Sequence, residues 1–322
     1  MHLAGSSFVL QPVLLFSKYT GTLPFGFKAD DNGHFLIFVN GFTWFVCFLY
    51  TVCAYVRDLK YIISEVVLRI AFPEKLISAA EILYMCHDTL FHAFLFTVFI
   101  TSFLKYSDFI KLFQNFAQLE KTLKLENPRK IRNIFLFLLI AINFLDLSQQ
   151  VYVQFINARE YSFASHNVFR RILAAIVRCN QNSIDFEFGC ISFIVYKFFQ
   201  QINKTILMTS TKMSVGEANR LRKCFGHLHA MTEVLNHIYG PCILFSLSVK
   251  GVALQNELYH ALIKVYSYLV SSNEMSLSFA FNYLRWFLIN TYRVIIIVWL
   301  SRSISEEVKK INSTLNGTKM EI

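Results

Sequence analysis

Three polar side chains stand at helical spacing within one apolar run of the chain. Asp146, Gln150 and Gln154 are four residues apart in residues 134–156, where Asp146 is the only charged residue. Side chains at i, i+4 and i+8 lie on one face of an α-helix. Such a stripe is typical either of a polar seam between packed helices or of the wall of a ligand cavity. The sequence favours neither interpretation over the other.

A second polar group lies in residues 172–199. Arg178, Gln181 and Asp185 follow one another at i, i+3 and i+7, so they also share a helix face. A charge within an apolar run must find a partner, and a structural pair is therefore favoured here over a binding role.

Aromatic residues mark a third face, in residues 279–300. Tyr283, Trp286 and Asn290 have the same helical spacing. Such aromatic residues either form an interfacial belt or stack on a small organic ligand. From the three faces together we predict these ligand-binding residues: Asp146, Gln150, Gln154, Gln181, Asp185, Tyr283, Trp286 and Asn290.

The sequence contains none of the common catalytic motifs. GxSxG, P-loop, HExxH and GxGxxG patterns are absent from it. Cys224, His227, His229 and His237 suggest a metal site, but His227 and His229 are two residues apart and do not face each other on a helix. We therefore expect no enzyme, no metal and no cofactor.

The composition is that of an integral membrane protein. Of 322 residues, 55% are apolar and 16% are charged, against about 25% charged residues in ordinary soluble proteins. The mean hydropathy is +0.44. These values exclude disorder and argue against a water-soluble globule, which would expose large apolar patches. The apolar runs exceed 20 residues and do not alternate, which indicates helices rather than barrel strands.

The predicted fold is an all-α, polytopic membrane helix bundle with about six transmembrane helices. Residues 1–34 form a cytosolic or interfacial N-terminal segment, whose apolar run from Phe8 to Phe16 is too short to span a bilayer. Residues 301–322 form a cytosolic tail. The predicted spans between them are 35–56, 77–104, 134–156, 172–199, 238–269 and 279–300.

The basic residues indicate how the chain is oriented in the membrane. About 19 Lys and Arg residues fall on the side of the N-terminus, the second and fourth loops and the C-terminus, against seven on the other side. The positive-inside rule therefore places the N-terminus in the cytosol. The net charge of +10 is explained by topology and by anionic lipid, so we expect no nucleic-acid partner.

Two cytosolic stretches have the spacing of amphipathic helices. In residues 109–125 and 218–237, apolar residues recur at intervals of three and four. We expect these helices to extend the membrane spans into the cytosol and to pack there as a helical bundle.

Three segments resemble one known family. They are QPVLLFSKYTGTLPFGF (11–27), FIVYKFFQQINKTI (193–206) and LRKCFGHLHAMTEVLNHIYGPCILFSL (221–247). The last contains His229, Asn236, Tyr239 and Gly240 at positions similar to those at the start of the fifth span in insect gustatory receptors. The order of the segments and the predicted orientation agree with that family from end to end.

The resemblance implies a gustatory-type chemosensory receptor of the plasma membrane that binds a small-molecule tastant. It also implies contact with the lipid bilayer and a homo- or hetero-oligomer, since full-length relatives are tetrameric ligand-gated cation channels. Such relatives usually end in a seventh span with a Thr-Tyr-apolar-Gln-Phe signature. Residues 301–322 resemble the linker before that span, so we expect the pore helix to be missing. The alternative function is a transporter or carrier of a small solute, suggested by the charges within several spans.

The orientation can be tested with terminal tags. Epitopes attached before Met1 and after Ile322 should both bind antibody only after cells are permeabilised, because both ends are predicted to be cytosolic. Immunofluorescence on intact and permeabilised cells measures this. Labelling of either end in intact cells would contradict the six-span arrangement.

Overall fold

The backbone is described by a computed structural model for residues 6–19, 23, 25–29, 35–39, 79–160, 166–209, 214–271 and 274–317, and for isolated helical positions from 42 to 67. In these ranges the helices are α1 (Ser6–Tyr19), α2 (Ala79–Leu104), α3 (Tyr106–Thr122), α4 (Pro128–Glu160), α5 (His166–Thr209), α6 (Val215–Ser271) and α7 (Glu274–Gly317). The strands β1 (Phe25–Ala29) and β2 (Phe35–Val39) lie between α1 and α2. The predicted all-α membrane helix bundle is confirmed, with this hairpin as an addition.

The hairpin changes the start of the first predicted span. Strands β1 and β2 are antiparallel, with Phe25 opposite Val39 and Phe27 opposite Ile37. The span was predicted to begin at residue 35, whereas Phe35–Val39 is a strand and the described positions from Phe42 onward are helical. Because FLIFV is apolar throughout, its periodicity cannot separate a buried strand from a helix.

The long helices exceed the thickness of a bilayer. Helix α6 has 57 residues and α5 has 44. At about 1.5 Å per residue, α6 is roughly 85 Å long, against a hydrocarbon core of about 30 Å. The predicted extension of helices beyond the membrane agrees with these lengths.

Local sequence signals fix the ends of these helices. Ser214 caps α6 in a capping box: its hydroxyl accepts the Glu217 N–H at 3.2 Å, and the Glu217 carboxylate accepts the Ser214 N–H at 3.2 Å. Helix α4 begins at Pro128, where the absent N–H is not needed. Asn127 before it has φ 51°, a left-handed conformation that Asn tolerates better than most residues.

Three helices in the described part of the chain are long and apolar enough to cross a membrane. They are Met85–Leu104, Val215–Val270 and Leu277–Thr314. They overlap the predicted spans 77–104, 238–269 and 279–300. Helices α4 and α5 contain two further predicted spans, and the count of six remains a prediction.

One hydrophobic core joins α1, α3, α4, α5, α6 and α7. Its fully buried side chains include Phe198 and Phe199 of α5 and Leu228 of α6. The predicted amphipathic faces of residues 109–125 and 218–237 are buried in it, as shown by Phe113, Phe116, Leu221, Leu228 and Met231. The helical pattern of both stretches is thereby confirmed.

Helix α1 packs within this core. Val9, Leu10, Val13 and Leu14 are buried against α3, α4 and α5. The hydroxyl groups of Ser17 in α1 and Ser183 in α5 are 2.9 Å apart and hydrogen-bonded. Helix α1 is therefore an integral part of the helix bundle, while the interfacial position of the N-terminal segment remains a prediction.

Polar contacts also join α5 and α7. The Asn203 amide donates to the Glu307 carboxylate at 2.9 Å, and the Lys310 ammonium donates to the other oxygen of Glu307 at 2.9 Å. Tyr196 and Trp299 meet edge to face, with ring centroids 6.0 Å apart. The two contacts between the helices follow the same order along α5 and along α7, so the two helices are parallel.

The packing of α1 can be tested with two leucines of the same helix. Leu10→Ala should lower the free energy of unfolding by about 2–5 kcal/mol, because a buried leucine leaves both lost transfer energy and a cavity. Leu10 is 1% exposed, whereas Leu15 is 37% exposed. Leu15→Ala is the matched control and should cost much less. Denaturant unfolding in detergent measures both, and equal losses would contradict the packing.

Candidate ligand-binding site

Four of the eight predicted binding residues have side chains that the structure does not describe. Asp146, Gln150 and Gln154 lie on α4, and Gln181 lies on α5. The helical backbone of α4 supports the shared face that their spacing predicts. Their contacts remain predictions.

Asp185 forms a buried ion pair with α6. One carboxylate oxygen accepts the Lys250 ammonium, and the other accepts the Ser246 hydroxyl at 2.7 Å. The Lys250 ammonium also donates to Ser246. Lys250 is 1% exposed and Asp185 is 8% exposed. Both carboxylate oxygens are thus engaged, which agrees with the expected structural role and identifies the partner as Lys250.

A second acidic residue of α5, Glu187, contacts α6 at Tyr239, which lies closer to the start of α6 than Ser246 and Lys250 do. The Tyr239 hydroxyl donates to Glu187, which is fully buried. The Tyr239 ring packs edge to face on Phe109 of α3, with centroids 5.7 Å apart. Tyr239 therefore joins α3, α5 and α6.

The next polar contacts along α6 are with α7. The Asn290 amide donates to the Glu257 carboxylate at 2.9 Å. The ring of His260 stacks on Tyr283, with centroids 5.1 Å apart and planes 20° apart. The two pairs follow opposite orders along α6 and along α7, so the two helices are antiparallel here.

The polar contacts that α6 makes with Asp185 and Glu187 of α5 and with Asn290 and Tyr283 of α7 fall on one face of α6. Tyr239, Ser246, Lys250, Glu257 and His260 are separated by seven, four, seven and three residues. These intervals repeat the two-turn period of a helix face. We call these five residues the polar face of α6. It contacts α5 through its first three members and α7 through its last two.

Helix α4 contacts α7 through Arg285. The Arg285 guanidinium donates to the Leu145 carbonyl at 3.3 Å and lies 3.5 Å from the Ser148 hydroxyl. Leu145 directly precedes Asp146 in the chain. The contact therefore joins the turn of α4 before Asp146 to the part of α7 that carries Tyr283 and Trp286. A shared site there remains a prediction. Trp286 is half-buried.

The described residues offer no cluster suited to a metal ion. Among them, no three His, Cys, Asp or Glu side chains are grouped as ligands. His229 faces Glu233 and His237 faces Asp108, each at 3.7 Å. Cys224 is buried in the core. Of the residues considered as metal ligands, Cys224, His229 and His237 thus each have different neighbours.

A family model described as 7tm chemosensory receptor matches residues 10–321. The chain belongs to that family. It is the family of the insect gustatory and odorant receptors, so the resemblance found in the three sequence segments is confirmed. The receptor is consequently a membrane chemosensory protein, and its family is not one of enzymes. A search of curated proteins gives no match for the receptor.

The sequence did not single out the polar face of α6 in this receptor. Lys250, Glu257 and His260 were recognisable as polar residues in an apolar run, and their intervals of seven and three place them on one face. That periodicity was the available signal. It identifies a face but not the helices that it contacts, because those contacts come from residues far away in the chain.

Removing one member of the buried ion pair should destabilise the receptor. Asp185→Asn should cost about 3–5 kcal/mol of unfolding free energy, because it leaves the Lys250 ammonium buried without a counter-charge. Combining Asp185→Asn with Lys250→Met should recover much of the loss. Unfolding of the purified receptor in detergent measures each variant.

The exposed pair Arg302–Glu306, with atoms 2.7 Å apart, provides the control. Arg302→Met should change stability little, because exposed ion pairs are screened by water. A double variant at positions 185 and 250 that is no more stable than Asp185→Asn would argue against charge pairing as the cause.

Proposed function

We propose that this chain is a gustatory-type chemosensory receptor that binds a small organic ligand between α4, α6 and α7. The family match supports the receptor class. The observation that carries the location is the pair of contacts Glu257–Asn290 and His260–Tyr283. With the N-terminus in the cytosol, both contacts fall in the outer half of the membrane, on the side from which a tastant arrives.

The side chains at this place suit a ligand with a flat apolar part and a polar group. The stacked rings of His260 and Tyr283 provide an aromatic surface for the apolar part. The Glu257 carboxylate accepts a hydrogen bond from a ligand hydroxyl or amine, and the Asn290 amide donates one to a ligand hydroxyl. Trp286 and the α4 stripe of Asp146, Gln150 and Gln154 complete the proposed wall, with Gln181 and Asp185 at its α5 side.

Ligand binding is proposed to act on a cation conductance in the plasma membrane. The resemblance implies that gustatory receptors work as oligomeric ligand-gated channels, and this receptor is proposed to take part in such a homo- or hetero-oligomer. The transporter alternative predicts a different signal, namely saturable solute uptake without an evoked current.

The proposal is tested by expressing the receptor in cultured cells, alone and with a partner receptor. A panel of sugars and aromatic amines is applied while calcium entry and whole-cell current are recorded. An evoked cation current supports the function, and saturable uptake of a panel compound without current would replace it by the transporter alternative.

The site itself is tested with two tyrosines of α7. Tyr283→Ala should raise the half-maximal ligand concentration about three- to tenfold, because an aromatic contact contributes about 0.5–1.5 kcal/mol. Tyr292→Ala is the matched control, since Tyr292 is 60% exposed on the same helix, and its response should equal that of the unchanged receptor. Equal shifts in both variants, at equal surface expression, would remove the site from this position.

A further inference from the structure

Pro241 leaves one backbone carbonyl of α6 without its usual donor. The N–H of residue i in an α-helix bonds to the carbonyl of residue i−4, and proline has no N–H. Helix α6 continues through Pro241, so the carbonyl that loses its intrahelical partner is that of His237. Gly240 precedes the proline, and a Cβ atom at Gly240 would meet nothing within 4 Å. Close packing therefore does not require this glycine.

A lysine at the break between α2 and α3 donates to this carbonyl. The Lys105 ammonium is hydrogen-bonded to the His237 carbonyl oxygen, across 132 residues of sequence. Lys105 lies at the break between α2 and α3. Its own backbone is fixed there, because its N–H donates to the Thr101 carbonyl at 2.9 Å and its carbonyl accepts the Phe109 N–H at 3.1 Å. A charged donor thus replaces the hydrogen bond that proline removes.

Neighbouring residues of α3 reinforce the same contact. The Asp108 carboxylate lies 3.7 Å from the His237 imidazole, and it accepts a hydrogen bond from Lys111 at 3.1 Å. The Phe109 ring packs on Tyr239, two residues beyond His237. The first turn of α3 therefore holds α6 directly before the Gly240–Pro241 pair.

We propose that Gly240–Pro241 is a hinge in α6 and that Lys105 is the clamp that holds it. Gly and Pro are the usual sites of helix kinks, because they remove a hydrogen bond or a side chain that stiffens the helix. The hinge separates the cytosolic half of α6 from the half that carries Lys250, Glu257 and His260. While Lys105 occupies the His237 carbonyl, the two halves move as one; when it leaves, the turn around Pro241 opens.

A double-mutant cycle tests the clamp on the full chain in lipid nanodiscs. The variants are Lys105→Met, Pro241→Ala and their combination, and the readout is amide hydrogen exchange along the chain. Lys105→Met should accelerate exchange in residues 238–246 about tenfold, because a charge-assisted hydrogen bond to that turn is lost. In the Pro241→Ala background the same substitution should have little effect there, since the substituted position then supplies the backbone N–H that bonds to the His237 carbonyl.

Two further variants keep the test decisive. Lys124→Met removes an exposed lysine that lies beyond the far end of α3, and it should leave exchange in residues 238–246 unchanged. Lys105→Arg keeps a charged donor, so its exchange in residues 238–246 should equal that of the unchanged chain. If Pro241→Ala does not fold, the comparison of Lys105→Arg with Lys105→Met still tests the clamp. Equal acceleration by Lys105→Met with and without Pro241 would overturn the clamp. The clamp would also be overturned if Lys105→Arg exchanged as fast as Lys105→Met. The same holds if Lys105→Met accelerated exchange in α7 as much as in residues 238–246.

Discussion

A charge buried between apolar helices must meet its counter-charge on a neighbouring helix, and this requirement determines how α5 and α6 lie together. Lys250 is 1% exposed within a helix long enough to cross a membrane. Leaving its ammonium unpaired would cost several kcal/mol, about as much as the whole stability margin of many domains. Asp185 of α5 accepts hydrogen bonds from both Lys250 and Ser246 of α6, and these two bonds fix the rotation and the axial register of the two helices.

The remaining helices follow from that arrangement. Once α5 fixes α6, the same polar face presents Glu257 and His260 to α7, where Asn290 and Tyr283 meet them. Helix α7 then returns to α5 through Asn203 and Glu307. Three long helices are thus tied in a closed circuit of polar contacts, and the apolar core packs between them.

Sequence reasoning succeeded where the determining signal is local. The apolar faces of 109–125 and 218–237 were predictable because their spacing of three and four residues is written in a single segment. The partner of Asp185 was not, since Lys250 lies 65 residues away and Arg178 offered a nearer counter-charge. The hairpin was missed because FLIFV is uniformly apolar, although Asn32-Gly33 between the strands is a recognised hairpin signal. The binding role of side chains such as Asp146 and Gln150 remains a prediction.

The buried position of α1 has a consequence for biosynthesis. Val9, Leu10, Val13 and Leu14 are synthesised well before two of the helices that cover them, which begin at Pro128 and His166. At roughly 5–20 residues per second, the ribosome needs on the order of ten seconds to produce those partners. During that interval α1 has an apolar surface without its native cover.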